Sequence, residues 1–261
     1  MGRRRMTKHQ RKMVIWANVF LVAGFCVWHF GVATLFVLET HYVGWKFPVV
    51  KKTPMELADL SLAQAPGGKL SYFGYEFEVP WDIDQEKTKR VGKTELIAFR
   101  SGNALVFSRT APKEFVRTFL STTKVGPDKV RNLWGEEALA SDYSLHRLIL
   151  EATPGEVTLF TRREDAVRNS MLVLFKGIMT PRGGESGIFR VRTDKFQGFQ
   201  YGDPQARPKS LNVEIFADDG GLGFMFAQRS EGTAPAITQA EINRVVQTVR
   251  KIPERGLSAS R

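Results

Sequence analysis

Cysteine is all but missing from this 261-residue chain. The single Cys26 excludes an intramolecular disulfide and any cysteine-rich zinc site. Histidine is nearly as scarce. Of His9, His29, His41 and His146, the first three fall in a tail, an uncharged run and a connector, so histidine chemistry in a folded body rests on His146. No G-x-S-x-G, H-E-x-x-H or paired-cysteine motif is present, nor any internal repeat or low-complexity segment. These absences point to no resident metal and no cofactor. What is there is ordinary for a folded protein: 43% apolar and 25% charged residues. A mass of 29.4 kDa allows one sizeable domain with an appendage, or two small ones.

The net charge of +11 is unevenly placed. Arg3, Arg4, Arg5, Lys8, Arg11 and Lys12 sit among the first 38 residues without a single acid, which leaves only +5 for the remaining 223 positions. That residue is a spread surface excess and not a polyanion-binding block, so no nucleic acid is expected as a partner.

Val14 to Leu38 holds no Asp, Glu, Lys or Arg over 25 residues. As a helix it would reach about 37 Å at 1.5 Å per residue, more than a hydrocarbon core of about 30 Å. The run exceeds the apolar part of a cleaved signal, about 7–15 residues, and no A-x-A-like exit follows it. The expectation is a single-pass signal anchor in the plasma (inner) membrane, contacting lipid through residues 13–38. The basic side stays cytoplasmic and the rest is exported. Trp16 on one side, with Tyr42 and Trp45 on the other, suits the two interfacial belts. Within the span, Ala17, Gly24 and Gly31 recur every seven residues, and Asn18 and His29 lie three helical turns apart. Small and polar positions of this kind are candidates for helix association in a membrane.

The chain divides into a basic cytoplasmic tail (1–12), the anchor (13–38), a linker (39–69), an exported domain (70–253) and a tail (254–261). Pro48, Pro54, Pro66, Gly67 and Gly68 interrupt the linker, where only Met55 to Gln64 could form a short helix. Tyr72 to Val79 alternates as one half-buried strand, with Phe73, Tyr75, Phe77 and Val79 on the apolar side and Pro80 as the stop. Leu96–Phe99 and Ala104–Ser108 flank a hairpin turn at Ser101-Gly102-Asn103. A helical block at 112–180 follows. It opens at Pro112, ends a first helix at Gly126-Pro127, continues over Asp128–Trp134 and Glu136–Glu151, and closes with a helix capped by Thr161 and Glu164. Strands return at Gly187–Arg192 and Phe196–Tyr201, around a turn at Thr193-Asp194-Lys195, and at Leu211–Ala217 and Gly223–Gln228, around Asp218-Asp219-Gly220-Gly221. Thr238 and Glu241 form a second capping box before a helix with Ile242, Val245, Val246, Val249 and Ile252 inward. Consecutive hairpins with covering helices predict an α+β domain built on an antiparallel sheet.

An aromatic strand ending in Pro80-Trp81, consecutive hairpins and a closing helix from Ile237 to Ile252 together resemble PsbP-like domains. The likeness covers residues 70–110 and 186–252, with 112–180 as an insertion. It implies an α/β/α sandwich of a kind often exported and often without known catalysis, and it carries over no site residue.

Three chemical readings compete. Ser121-Thr122-Thr123-Lys124 matches the S-x-x-K pattern of penicillin-binding proteins and serine β-lactamases, in which the lysine amine takes the serine proton. Ser141-Asp142 would stand for the S-D-N element, but Tyr143 replaces its asparagine. Lys93-Thr94-Glu95 lacks the glycine of K-T-G, and Ser121 falls at a helix end. The opposing reading is a polar helix terminus with Lys124 near its negative pole. His146, four residues after Asp142, is the one candidate base, against a structural role. Gly92-Lys93-Thr94 ends like a phosphate loop, yet Lys87 holds the position of its first glycine. Asp82, Asp84 and Glu86 begin like a calcium loop but lack its glycine and distal glutamate. Trp81 and Trp134 are candidate pocket or core residues. The expected function is an anchored envelope protein that binds a protein partner or a second copy as an accessory or assembly factor. The alternatives are a serine hydrolase acting through Ser121 and Lys124, and a carrier of a small apolar ligand.

Overall fold

The computed structural model describes residues 8–64, 68–181, 183–228 and 235–253, and for residues 8–15, 26–30, 32 and 33 the backbone alone. Residues 1–7 of the basic tail, Pro66 and Gly67 of the linker, and the tail at 254–261 lie outside the described residues, as does the side chain of His29.

The chain forms two compact units, one from the N-terminal segment to Lys51 with Ala152–Gly177, the other from Lys52–Glu151 with the chain from Ile178 onward. The first unit contains helix α1 (Lys8–Lys46), 39 residues long, and most of a later helix described below. Residues 16–25 of α1 are exposed one after another, including Phe20 at 71% and Leu21 at 73%. Ala17, Asn18 and Gly24 lie in that exposed stretch, and Gly31 is half-buried. The C-terminal end of α1 packs instead. Val43, Val49 and Val50 are buried, and Thr40 Oγ1 turns back to donate to the carbonyls of Phe36 and Val37. Among the described residues no helix is long and apolar enough to cross a membrane.

The second unit is α+β. It opens with β1 (Met55–Glu56), the hairpin β2 (Gly68–Tyr72) and β3 (Tyr75–Val79), then β4 (Lys89–Val91), β5 (Thr94–Ala98) and β6 (Ala104–Thr110). Helices α2 (Glu114–Thr123), α3 (Pro127–Trp134) and α4 (Asp142–Glu151) follow. Next comes α5 (Arg163–Met179), most of which belongs to the first unit. The meander β7 (Ile188–Arg192), β8 (Gln197–Tyr201), β9 (Ser210–Ala217) and β10 (Gly220–Ala227), then α6 (Gln239–Gln247) and β11 (Arg250–Lys251), complete the described order.

Eight strands form one sheet in the order β1-β7-β8-β9-β10-β6-β5-β4, antiparallel throughout except where β1 joins β7. A second sheet, β11-β3-β2, was not foreseen. Its β3 side chains Tyr75, Phe77 and Val79 share one apolar core with Leu105, Phe107, Phe224 and Phe226 of the large sheet and with Ile242, Val245 and Val246 of α6. The centre is aromatic. Phe77 lies 4.9 Å from Phe107 and 5.5 Å edge-on from Phe224, and Trp81 lies 4.8 Å from Phe99. Such tilted pairs are each worth about 0.5–1.5 kcal/mol beyond the area they bury. Trp81 therefore has a core role, with its indole N–H donating to Glu241 Oε1 at 2.9 Å.

Five sequence expectations change here. The single strand from Tyr72 to Val79 is a hairpin, because Phe73 and Gly74 take φ of 53° and 82°, the left-handed pair a two-residue turn requires. The segment from Met55 to Gln64 is not helical. Met55–Glu56 pairs with β7, and Asn243 of α6 donates to the carbonyls of Asp59 and Ser61, so this part of the linker is fastened to the sheet unit. The helix expected over Glu136–Glu151 starts at Asp142, after a 3-10 turn at Glu136–Leu139, because Ser141 Oγ accepts the Ser144 N–H and so caps α4. The last helix stops at Gln247 since β11 must pair with β3, which leaves Ile252 36% exposed instead of inward. At the other end of α6, Thr238 and Glu241 do form the capping box. Thr161 does not cap α5. Its hydroxyl instead accepts the Thr158 N–H at 2.8 Å.

Candidate functional site

The meander decides where a site can lie. Alternate turns of an antiparallel meander emerge at one end, so the β7–β8 and β9–β10 turns are neighbours. The first is held by Thr193, whose N–H donates to Phe196 O at 2.9 Å while its hydroxyl accepts the Phe196 N–H at 3.0 Å. The second is the two-residue tip Asp218–Asp219. Gly220 follows it at φ 131°, where an added Cβ would collide with the Thr110 carbonyl.

Facing these turns are the starts of α2 and α4. The residue before α2, Lys113, is left-handed at φ 55° and gives no side-chain cap. Asp142 supplies one from a distance: its buried Oδ1 accepts the Val116 N–H at 3.0 Å. One carboxylate thus fixes α2 against α4. Between these helix starts and the two turns lies an open cleft of about 800 Å³.

Its lining is mixed. Tyr143, Phe196 and Phe216 provide an aromatic floor. Tyr143 stacks on Phe199 at 5.4 Å and 15°. Arg117, Arg192 and Lys195 are exposed cations from three different elements, and none has an ion pair among the described residues. Asp194 and Asp218 are exposed acids in the same position. At one end Asp219 gathers Lys251 at 2.7 Å, Arg109 at 3.5 Å and the Tyr75 hydroxyl at 2.6 Å. Burial works against the Asp219 charge, but the hydrogen bonds from Lys251 and Tyr75 and the nearby cations outweigh it and hold the carboxyl below its usual range. Burial, and then the bond to Asp219, push the Tyr75 phenol well above its ordinary value. An open groove with separated charges of both signs over an aromatic floor suits a polypeptide surface better than a single small anion or a fully apolar ligand.

The sequence candidates fall elsewhere or into structural roles. Ser121 is exposed and its hydroxyl donates to Thr118 O at 2.9 Å. Lys124 is the left-handed C-cap of α2, at φ 54°. No hydrogen bond among the described residues joins Ser121 to Lys124 or to His146. His146 meets the backbone carbonyl of Asp142 at 2.9 Å, and not its carboxylate, because that carboxylate is spent on Val116. Its ring lies 3.7 Å from Phe115 and 4.9 Å from Phe216, with Nε2 3.3 Å from Glu214. Glu214 also accepts from Tyr201, whose phenol burial drives far up. This is an interior polar link between α4 and the sheet. Lys93 belongs to the exposed β4–β5 turn, and Asp84 pairs with Lys87 at 2.7 Å. Trp134 is buried edge-on to Phe119. Among the described residues no cluster of three or more His, Cys, Asp or Glu side chains is placed to hold a metal ion.

Sequence reasoning identified both turns but not the cleft between them. The signal was available in the pairing of consecutive hairpins, whereas Arg117 and Tyr143 carried none, since their approach depends on how α2 and α4 dock. No family model matches the chain, and no curated protein or solved structure matches it either.

Proposed function

We propose that this is a single-pass protein anchored by α1 in the plasma membrane, N-terminus inward, whose exported sheet unit binds a protein partner or a second copy through the cleft at Arg117, Arg192 and Lys195. The cleft carries the binding reading. Three cations and two acids stand exposed around an aromatic floor, without the ion pairs that a merely solvated surface often makes within itself. A facing surface of complementary charges would steer association and fix register. The anchor reading is supported by the 25 uncharged residues Val14–Leu38 and by the ten successive exposed positions at 16–25 of a 39-residue helix. Ala17, Asn18, Gly24, His29 and Gly31 remain the positions through which a second helix could approach in the bilayer. A PsbP-like likeness, with its exported and often non-catalytic domains, agrees with an accessory or assembly role in the envelope.

Site-specific photo-crosslinking tests the binding reading. A photoreactive residue at Gln197 in the full chain, activated in native membranes, gives one discrete adduct, a partner or a dimer. The adduct is lost when Arg117→Glu and Arg192→Glu are combined. Free monomer alone contradicts the proposal.

A further inference from the structure

The first unit carries a loop that no part of the cleft uses. It follows the 3-10 turn Pro154–Glu156 and ends at α5. Pro154 Cγ lies 3.4 Å from where a Cβ on Gly44 would sit, so the loop sets out from the last turns of α1. Its tip is Leu159–Phe160, 44% and 87% exposed. Adjacent exposed apolar side chains are candidates for a contact surface when further features beside them point to one.

Three of the four backbone N–H groups from Thr158 to Thr161 are bonded within the tip. Thr158 N–H donates to Thr161 Oγ1 at 2.8 Å, Phe160 N–H to Thr158 Oγ1 at 3.3 Å, and Thr161 N–H to Thr158 O at 3.1 Å. Satisfying these three donors internally lowers the cost of drawing the tip out of water, while the Leu159 N–H, which has no partner among the described residues, suits the hydrated headgroup level and not the hydrocarbon core. Exposed Arg162 follows closely, with a stem long enough to keep its guanidinium group among phosphates while the tip sits deeper. At the end of α1 from which the loop starts, Tyr42 and Trp45 are exposed by 58% and 76%, their rings 6.1 Å apart. Such a pair favours the headgroup level.

We infer that Leu159–Phe160 is a second membrane contact, seated in the headgroup region of the outer leaflet beside the point where α1 leaves the bilayer. The occupant is lipid. The inference rests on the anchor reading above, and its effect is to give the first unit two points of attachment in place of one.

The lone cysteine makes a direct test simple. In a Cys26→Ser background, Phe20→Cys, Phe160→Cys and Asp194→Cys each receive a nitroxide label. The full chain is reconstituted in phosphatidylcholine–phosphatidylglycerol vesicles, and collision rates with oxygen and with a water-soluble nickel chelate are compared. The oxygen-to-nickel ratio at position 160 should be several-fold above that at 194 and below that at 20. A lipid-like value at 20 with an aqueous or collision-shielded label at 160 overturns the loop contact and leaves the anchor standing. An aqueous value at 20 removes the anchor reading, and the loop contact with it.

Discussion

Asp219→Asn tests whether the end of the cleft is held by charge. In the wild-type chain one carboxylate joins the β9–β10 turn to three elements: Tyr75 of β3 at 2.6 Å, Lys251 of β11 at 2.7 Å and Arg109 of β6 at 3.5 Å. A hydrogen bond to a charged group contributes about 1.5–3 kcal/mol and a neutral one about 0.5–1.5, so the amide, which keeps an acceptor for Tyr75, forfeits about 1–1.5 kcal/mol there. Lys251 is 57% exposed, so solvent screening limits its pair to well under 1 kcal/mol. The sum is about 1.5–2 kcal/mol, which for a protein of this size lowers Tm by roughly 3–8 °C. The pH dependence fixes the cause. The folded Asp219 carboxyl is held below its ordinary value, so its stabilisation is complete above the unfolded pKa of about 3.9 and disappears as pH falls through the folded value. Thermal unfolding of both full-length chains, followed by circular dichroism in detergent, should give a constant difference from about pH 5 to 8 that shrinks below about pH 4. A difference absent at neutral pH, or one that grows on acidification, refutes the reasoning.

Gly198→Ala should destabilise the sheet unit by more than about 3 kcal/mol, because the new Cβ would overlap the Glu214 carbonyl of the adjacent strand; soluble yield and urea midpoint read it. Gly223→Ala meets only the movable Ser108 hydroxyl at 2.8 Å and should cost far less in the same measurement. Thr238→Ala, which removes the capping box of α6, should cost about 1 kcal/mol by urea titration. Ser121→Ala should change stability by less than about 0.5 kcal/mol, and a fluorophosphonate probe should label wild type and variant alike, at background, since the hydroxyl donates to Thr118 O and, among the described residues, makes no hydrogen bond to Lys124 or His146.

The parts of the fold that local chemistry controls were legible. Thr238 and Glu241 announced α6, Ser101-Gly102-Asn103 the β5–β6 hairpin, and alternation the inward side of Tyr75, Phe77 and Val79 in β3. What escaped was decided by partners distant in sequence. Phe73 gives no hint of a left-handed turn on its own; β2 and β3 must pair before it is forced there. Arg250–Lys251 reads as the tail of a helix until β3 offers an edge. His146 and Asp142 stood at the spacing of a side-chain pair, yet the Asp142 carboxylate was claimed by Val116, 26 residues earlier. The cleft followed the same rule: its floor comes from the β7–β8 turn, β9 and α4, and its charges from segments joined only by docking.

The central claim is that the chain stays lodged in the membrane with the sheet unit displayed beyond it. Protease added to spheroplasts of cells expressing the chain, with carbonate-washed membranes analysed in parallel, tests this directly. The account predicts a full-length 29.4 kDa chain retained in washed membranes, with its carboxy-terminal region digested from outside. A soluble product beginning near residue 40, or a carboxy-terminal region protected until the membrane is dissolved, would contradict it.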